Sequence, residues 1–329
     1  MRFVIYGAGG IGGTIGARLH LSGFEVALIA RGTHYEAIVQ DGLRFVSPSQ
    51  DVHLRIRCFP HPDDAGIRPD DAVILCMKGQ HTEDALRDLY AATAGDARVI
   101  CCQNGVENER LALRRFPRTY GMVVLLPAEH LEPGVVVNFA EDTAGCLDAG
   151  CYPNGVDDFI EAVTRALCRA GFSSAPDGAI MDQKYAKLLG NLSNAVQAAT
   201  GTGSRAVAAK LREEALACYR AAGIHSATVE ETRARRADIR GREVPGHDRH
   251  GGSSLQSMLR GTGDIETDFM NGEIVLLGRL HGVPVPANTV VQEIGNRLVR
   301  ENLSPGSVAI EDLERRVLDP SADGAIPTE

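Results

Sequence analysis

Residues 2–31 read RFVIYGAGGIGGTIGARLHLSGFEVALIAR. An apolar run ending at Tyr6 meets a glycine turn, a helical stretch follows, and a second apolar run closes at Ile29. This is a βαβ unit of about 30 residues, the context in which a glycine fingerprint carries meaning. Gly7, Gly9 and Gly12 fit G-x-G-x-x-G: the first permits the tight turn, the second lets backbone approach a pyrophosphate, the third lets helix pack closely on strand. With Ala8, Gly10 and Ile11 they lead into a helix whose first amides would hold phosphates. A glycine turn alone needs only a steric reason; one set between strand and helix predicts nucleotide binding.

Outward from this unit, the end of the second strand discriminates between cofactors. NAD sites place Asp or Glu there for the ribose 2'-hydroxyl, whereas this chain reads VALIARGTH, with Arg31 and no acid. A guanidinium suits a 2'-phosphate, so NADPH is expected over NADH. The competing reading of Arg31 is a solvated loop arginine.

Further strands are predicted at DAVILCMK (71–78) and ARVICCQNG (97–105), each followed by a helical pattern. A doubly wound parallel sheet results, and ligands bind beyond its carboxyl edge. Lys78 and Asn104 sit there, as functional groups or as mere strand-terminating polar residues. GVVVNFAED and AGCLDAGCY are expected to extend the same sheet, before a helix over GVDDFIEAVTRALCRAGF. Small and polar residues between Pro176 and Asp182 place the domain boundary, giving 1–178 as an α/β Rossmann-type domain and 179–329 as an all-α domain. Within the second, ARRADIRGREVPGHDRHGG (234–252) reads as a mobile loop or frayed helix end, and the chain from about 318 on as a disordered tail.

The helical half opens with KYAKLLGNLSNAVQAAT, residues 184–200. Read as one helix, Lys184, Lys187, Asn191 and Asn194 fall in a narrow polar stripe beside Leu188, Leu192 and Val196. Long polar residues on an amphipathic helix are ordinarily solvated. Two mid-helix asparagines, poor helix formers, suggest instead the wall of a ligand cleft.

Composition removes several function classes. A net charge of -9 over 329 residues, without a Lys/Arg-rich run carrying aromatics, speaks against nucleic acid as a partner. No window approaches the ~18 apolar residues of a membrane span, and the N-terminus lacks a signal-peptide pattern. The eight cysteines lack CxxC spacing and read as small hydrophobes in a reducing, cytoplasmic setting; the ten histidines show no zinc-ligand spacing, so no metal is expected.

Across nearly its whole length the chain resembles the ketopantoate reductase family. GAGGIG, Arg31, MKG, QNG, KYAKLLGNLSN, SSLQS, ETDFMNG and HGVPVPANT occur in the family's order. The resemblance implies a Rossmann domain followed by a helical domain similar to that of 6-phosphogluconate dehydrogenases, with NADPH-dependent reduction of a 2-oxo acid, foremost ketopantoate. It also implies roles: Lys187 as catalytic lysine with Glu266 as its partner, Asn191 and Ser254 on substrate, Lys78 and Asn104 at the cofactor or substrate. The family's second helix asparagine is replaced by Ala195, with Asn194 one residue early and turned by about 100°. That substitution opens the alternatives of another 2-oxo acid or an imine as substrate. A non-catalytic NADP-binding sensor is the rival from another class, and the helical half is a candidate homodimer surface.

Overall fold

The computed structural model describes residues 1–259 and 265–319. It divides into two units, one formed by Met1–Lys184 with Ala227–Arg249, the other by Tyr185–Ser226 with the chain from His250 on.

The first unit runs β1 (Arg2–Tyr6), α1 (Gly10–Leu21), β2 (Glu25–Ile29), α2 (Gly32–Asp41), β3 (Leu43–Val46), β4 (Asp51–Leu54), β5 (Arg57–Phe59) and β6 (Ala72–Leu75). It continues through α3 (Thr82–Thr93), β7 (Arg98–Cys101), α4 (Asn108–Leu113), β8 (Arg118–Met122), β9 (Ala128–Glu129), β10 (Val135–Asn138), β11 (Ala149–Cys151) and α5 (Asp158–Arg169). Six parallel strands lie in the order β5-β2-β1-β6-β7-β8, with β11 antiparallel at the edge beside β8. This is the doubly wound dinucleotide-binding order, whose crevice opens where connections diverge, between β1 and β6.

Alternation along the strands builds two cores. Phe3 and Ile5 face one layer with Ile15, Leu19, Ile160 and Leu167, while Val4, Ala27 and Ile29 face the other with Leu86, Leu89 and Ala112. Burial on both faces explains why these strands read as continuous apolar runs.

Val135–Asn138 does not extend the main sheet. It pairs in parallel with β3 and antiparallel with β9 in a separate sheet ordered β4-β3-β10-β9, whereas Ala149–Cys151 does join the main sheet. A local apolar pattern specifies a strand and leaves its neighbour to tertiary packing.

The chain then passes through α6 (Ile180–Asn191), α7 (Asn194–Thr200) and α8 (Arg205–Ala222), and returns to the first unit in α9 (Val229–Arg236). Stretch 234–249 is docked. A capping box between Thr228 and Glu231 starts α9, Arg235 Nε donates to Asp148 at 2.6 Å, and Arg242 N–H donates to Phe139 O at 2.9 Å. Val244 is buried with Val46, Val137 and Phe139. A composition rich in charge and glycine hid one buried valine and one paired arginine.

In the second unit, the described residues after α6–α8 form α10 (Ser253–Leu259), α11 (Asn271–His281), α12 (Pro286–Arg300) and α13 (Ile310–Leu318). The PANT motif has a structural reason. Pro286 opens α12, and the Glu214 carboxylate accepts from the N–H groups of Ala287 (2.9 Å) and Asn288 (3.0 Å), capping the helix from α8. Buried Asn288 donates to Leu211 O at 3.2 Å and accepts from Asn271 at 3.1 Å. The expected tail falls largely on 320–329, outside the described residues, as do Arg260 and Gly261, the last two residues of the helical pattern SLQSMLRG.

Candidate active site

The glycine loop has the geometry its sequence requires. Gly7 takes φ +100°, and a Cβ there would stand 2.8 Å from Met77 N. At Gly12 a Cβ would stand 2.1 Å from Gly7 O, so helix and strand approach as only glycine allows. Gly9 differs: the nearest atom to a Cβ there is His130 Cδ2, at 3.9 Å. Its surroundings are open. Gly9 is also the N-cap of α1, no side chain caps that end, and no acid occupies the first turn. The first N–H groups of α1 therefore have neither a side-chain cap nor a compensating acid, a positive helix end suited to a pyrophosphate. The loop fits a dinucleotide.

Arg31, exposed at the N-cap of α2, lies beyond the carboxyl end of β2. Its Nη2 donates to His81 Nε2 at 3.2 Å, so an arginine and a histidine converge from the loops after β2 and β6. Burial and the nearby Asp88 and Asp84 push the Tyr6 hydroxyl up to about 12 while Arg31 pulls it down; burial prevails, and the phenol stays neutral.

Lys78 and Asn104 are both half-buried at the carboxyl edge of the sheet. A chain of buried side chains fixes the Asn104 loop: Gln103 Nε2 donates to Thr82 Oγ1 (2.7 Å), Thr82 to Asn108 Oδ1 (2.7 Å), and Asn108 Nδ2 to Asn104 O (2.9 Å). Gln103 opens the QNG motif, whereas Thr82 and Asn108 carry no motif signal in the sequence.

Lys184 is not solvated, as a long polar residue on an amphipathic helix ordinarily is. It is 3% exposed, donates to Cys101 O (3.3 Å) and Gln103 O (3.1 Å), and pairs with the buried carboxylate of Glu109. The helix stripe thus mixes a structural lysine with a functional candidate one turn later. Only burial separates them.

The stripe is also interrupted. The α-helix ends at Asn191, Leu192 and Ser193 form a turn, and α7 begins at Asn194. Leu192 O accepts from Asn271 at 3.1 Å, which ties this break to the start of α11. Lys187 is half-buried, and Asn191 Nδ2 is buried with no acceptor among the described residues. Such a donor normally finds a partner, so Asn191 has bonding capacity left for a ligand.

Asn194 turns toward the residues before α10. Its Oδ1 lies 3.4 Å from the position of a Cβ on Gly252, and Gly252 N–H donates to Gln197 Oε1 at 2.9 Å. Ser254, two residues on, is 6% exposed. Glu266, also 6% exposed, precedes a 3-10 turn in which Phe269 N–H donates to Glu266 O at 3.0 Å. Ala195 is buried at 2%, part of the core. In the second unit α10, which carries Ser254, packs against α7, which opens at Asn194.

Among the described residues, no group of His, Cys, Asp and Glu could hold a metal ion, and no helix is long and apolar enough to cross a membrane. All eight cysteines are free thiols, with Cys168 exposed rather than buried.

Comparison with known proteins gives this geometry its family. The profile described as Ketopantoate reductase PanE/ApbA matches residues 3–150, and its C-terminal counterpart matches 178–298. The chain belongs to the ketopantoate reductase family. A 2-dehydropantoate 2-reductase from Pyrococcus horikoshii is 34% identical over 191 residues, spanning 58% of this chain and 61% of that one. The crystal structure of a PanE/ApbA family ketopantoate reductase from Ralstonia eutropha is 27% identical, with TM-score 0.76 over 92% of this chain and 99% of that one. A ternary structure of D-mandelate dehydrogenase with NADH and anilino(oxo)acetate shares the fold, with TM-score 0.75 at 22% identity over 92% and 99% of the two chains. As a member of the ketopantoate reductase family, the chain is an oxidoreductase acting on CH-OH groups.

Proposed function

We propose that this protein reduces ketopantoate to pantoate with NADPH. The observation that carries the cofactor half is the uncapped N-terminus of α1 with open space above Gly9. Arg31 at the end of β2, where an NAD site would carry an acid, supports the 2'-phosphate form. The substrate half rests on family membership and on the unpaired Asn191 amide.

The reduced nicotinamide supplies the hydride. Negative charge then develops on the substrate's carbonyl oxygen, and Lys187 meets it with a proton. Glu266 orients that ammonium. Asn191, both donor and acceptor, suits a group that passes from carbonyl to hydroxyl. Asn194 and Ser254 hold the substrate's carboxylate end, and Asn104 and Lys78 position cofactor and acid from the sheet edge. The α/β unit and the helical unit divide these tasks between cofactor and substrate.

Loss of NADPH absorbance with ketopantoate, measured beside a panel of 2-oxo acids and with NADH as control, tests the reading. Turnover with ketopantoate and NADPH is expected. Because Ala195 stands where the family has an asparagine, a second reading keeps the chemistry and changes the acid. Turnover confined to another 2-oxo acid would select it.

A further inference from the structure

The glycine loop is held by a residue that no fingerprint includes. His34, on α2, bonds at both ring nitrogens: Nε2 lies 2.8 Å from Ala8 O, and Gly134 N–H donates to Nδ1 at 2.9 Å. Since Nδ1 accepts, the ring proton sits on Nε2 and is donated to Ala8. Ala8 is the residue between the first two fingerprint glycines; Gly134 belongs to the turn between β9 and β10. The ring packs against His130, centroids 4.0 Å apart and planes tilted by 46°, and His130 Nδ1 is anchored to Val135 O at 2.9 Å.

A peptide unit is planar and trans, so fixing the Ala8 carbonyl toward His34 points the Gly9 N–H the opposite way. Among the described residues that N–H meets no acceptor. It belongs to the residue whose surroundings are open, bounded by the edge of His130.

We infer that His34 is a positioning residue of the dinucleotide site, which aims the Gly9 amide at the pyrophosphate by locking the Ala8–Gly9 peptide to the β9–β10 turn. The inference rests on the reading of the glycine loop as the cofactor site. His130 buttresses the imidazole and walls the space above Gly9. Loss of the latch frees the peptide to rotate, so cofactor affinity falls while the chemical step, carried by other residues, does not.

The test compares the full-length protein with His34→Ala and His34→Gln by NADPH titration, steady-state kinetics and thermal melting. Glutamine keeps a donor within reach of Ala8 O. The expected result is a Kd for NADPH raised about tenfold in His34→Ala, largely restored in His34→Gln, with kcat at saturating NADPH within about twofold of the unaltered chain. If His34→Ala does not fold, His34→Phe, which keeps a ring against His130 and removes both ring-nitrogen bonds, takes its place and should show the same roughly tenfold rise in Kd with KM rather than kcat affected. NADPH bound equally by folded variants and unaltered chain overturns the inference, as does a fall in kcat at unchanged KM. Absence of saturable NADPH binding by the unaltered chain overturns instead the reading beneath it, and the inference with it.

Discussion

The ammonium of Lys184 and the carboxylate of Glu109 form an ion pair in which the two side chains are 3% and 0% exposed. Two backbone carbonyls complete the ammonium's bonding, those of Cys101 and Gln103 at the end of β7. Burial pushes the Glu109 carboxyl up even with Lys184 beside it, which measures how far this pair is removed from water. Its place at the root of the Asn104 loop makes it structural support for a functional edge.

Lys184→Met strands the Glu109 charge and should destabilise the protein by about 3–5 kcal/mol. Lys184→Met with Glu109→Leu should recover much of that loss, since an apolar pair avoids the desolvation cost. Urea unfolding of the single and double variants checks both. A double variant no more stable than the single would mean that the carbonyl contacts, not the carboxylate, are the main bond.

Gly9 and Gly12, three residues apart in one loop, should behave oppositely. Gly12→Ala places a methyl 2.1 Å from Gly7 O and should disrupt the packing of α1 on β1. Gly9 has φ -69°, which alanine adopts freely, and its nearest neighbour is 3.9 Å away. Gly9→Ala should therefore melt within a few degrees of the unaltered protein yet bind NADPH about tenfold or more weakly, as thermal melting and titration would show.

Arg31→Ala should raise the Kd for NADPH by about 10- to 100-fold, the scale of lost charge-assisted hydrogen bonds, and leave NADH nearly unaffected. Parallel titration with both cofactors is decisive. Equal losses would remove Arg31 from the 2'-phosphate.

On the proposed mechanism, Lys187→Ala should lower kcat roughly a hundred- to ten-thousandfold with NADPH affinity intact. Near-unaltered turnover in a variant that still binds NADPH would take the proton-donor role from this lysine.

Asp71 supplies a pH dependence. Burial raises its carboxyl, but bonds from Arg2, the Arg68 N–H and the Arg68 side chain outweigh this and hold it below the ordinary carboxylate range. A depressed folded pKa means that the unfolded chain binds the proton first. The contribution of Asp71 is then complete above about pH 4 and lost as pH falls from there through the folded pKa. Acid unfolding followed by circular dichroism should show a shallower slope in Asp71→Asn, and an identical slope would relocate the acid sensitivity.

The glycine fingerprint, the strand-end arginine, strands β1, β2, β6 and β7 and the helical second half were legible, because each rests on short-range rules: the space a Cβ needs, the period of a strand, the period of a helix; β3–β5, short and mixed in polarity, were not. Gly7 and Gly12 sit where backbone atoms leave no alternative. Tertiary structure alone decided the rest. It made Lys184 a buried partner of Glu109 and left Lys187 half-buried, although one turn of helix separates them and the sequence treats them alike. It sent β10 to a second sheet, broke the expected long helix at Leu192, and docked 234–249 through Arg235 and Val244. It also gave His34 two partners, at Ala8 and Gly134, that lie 26 and 100 residues away along the chain. Burial, pairing and charge compensation belong to contacts between distant residues, and local periodicity does not record which residue will be opposite.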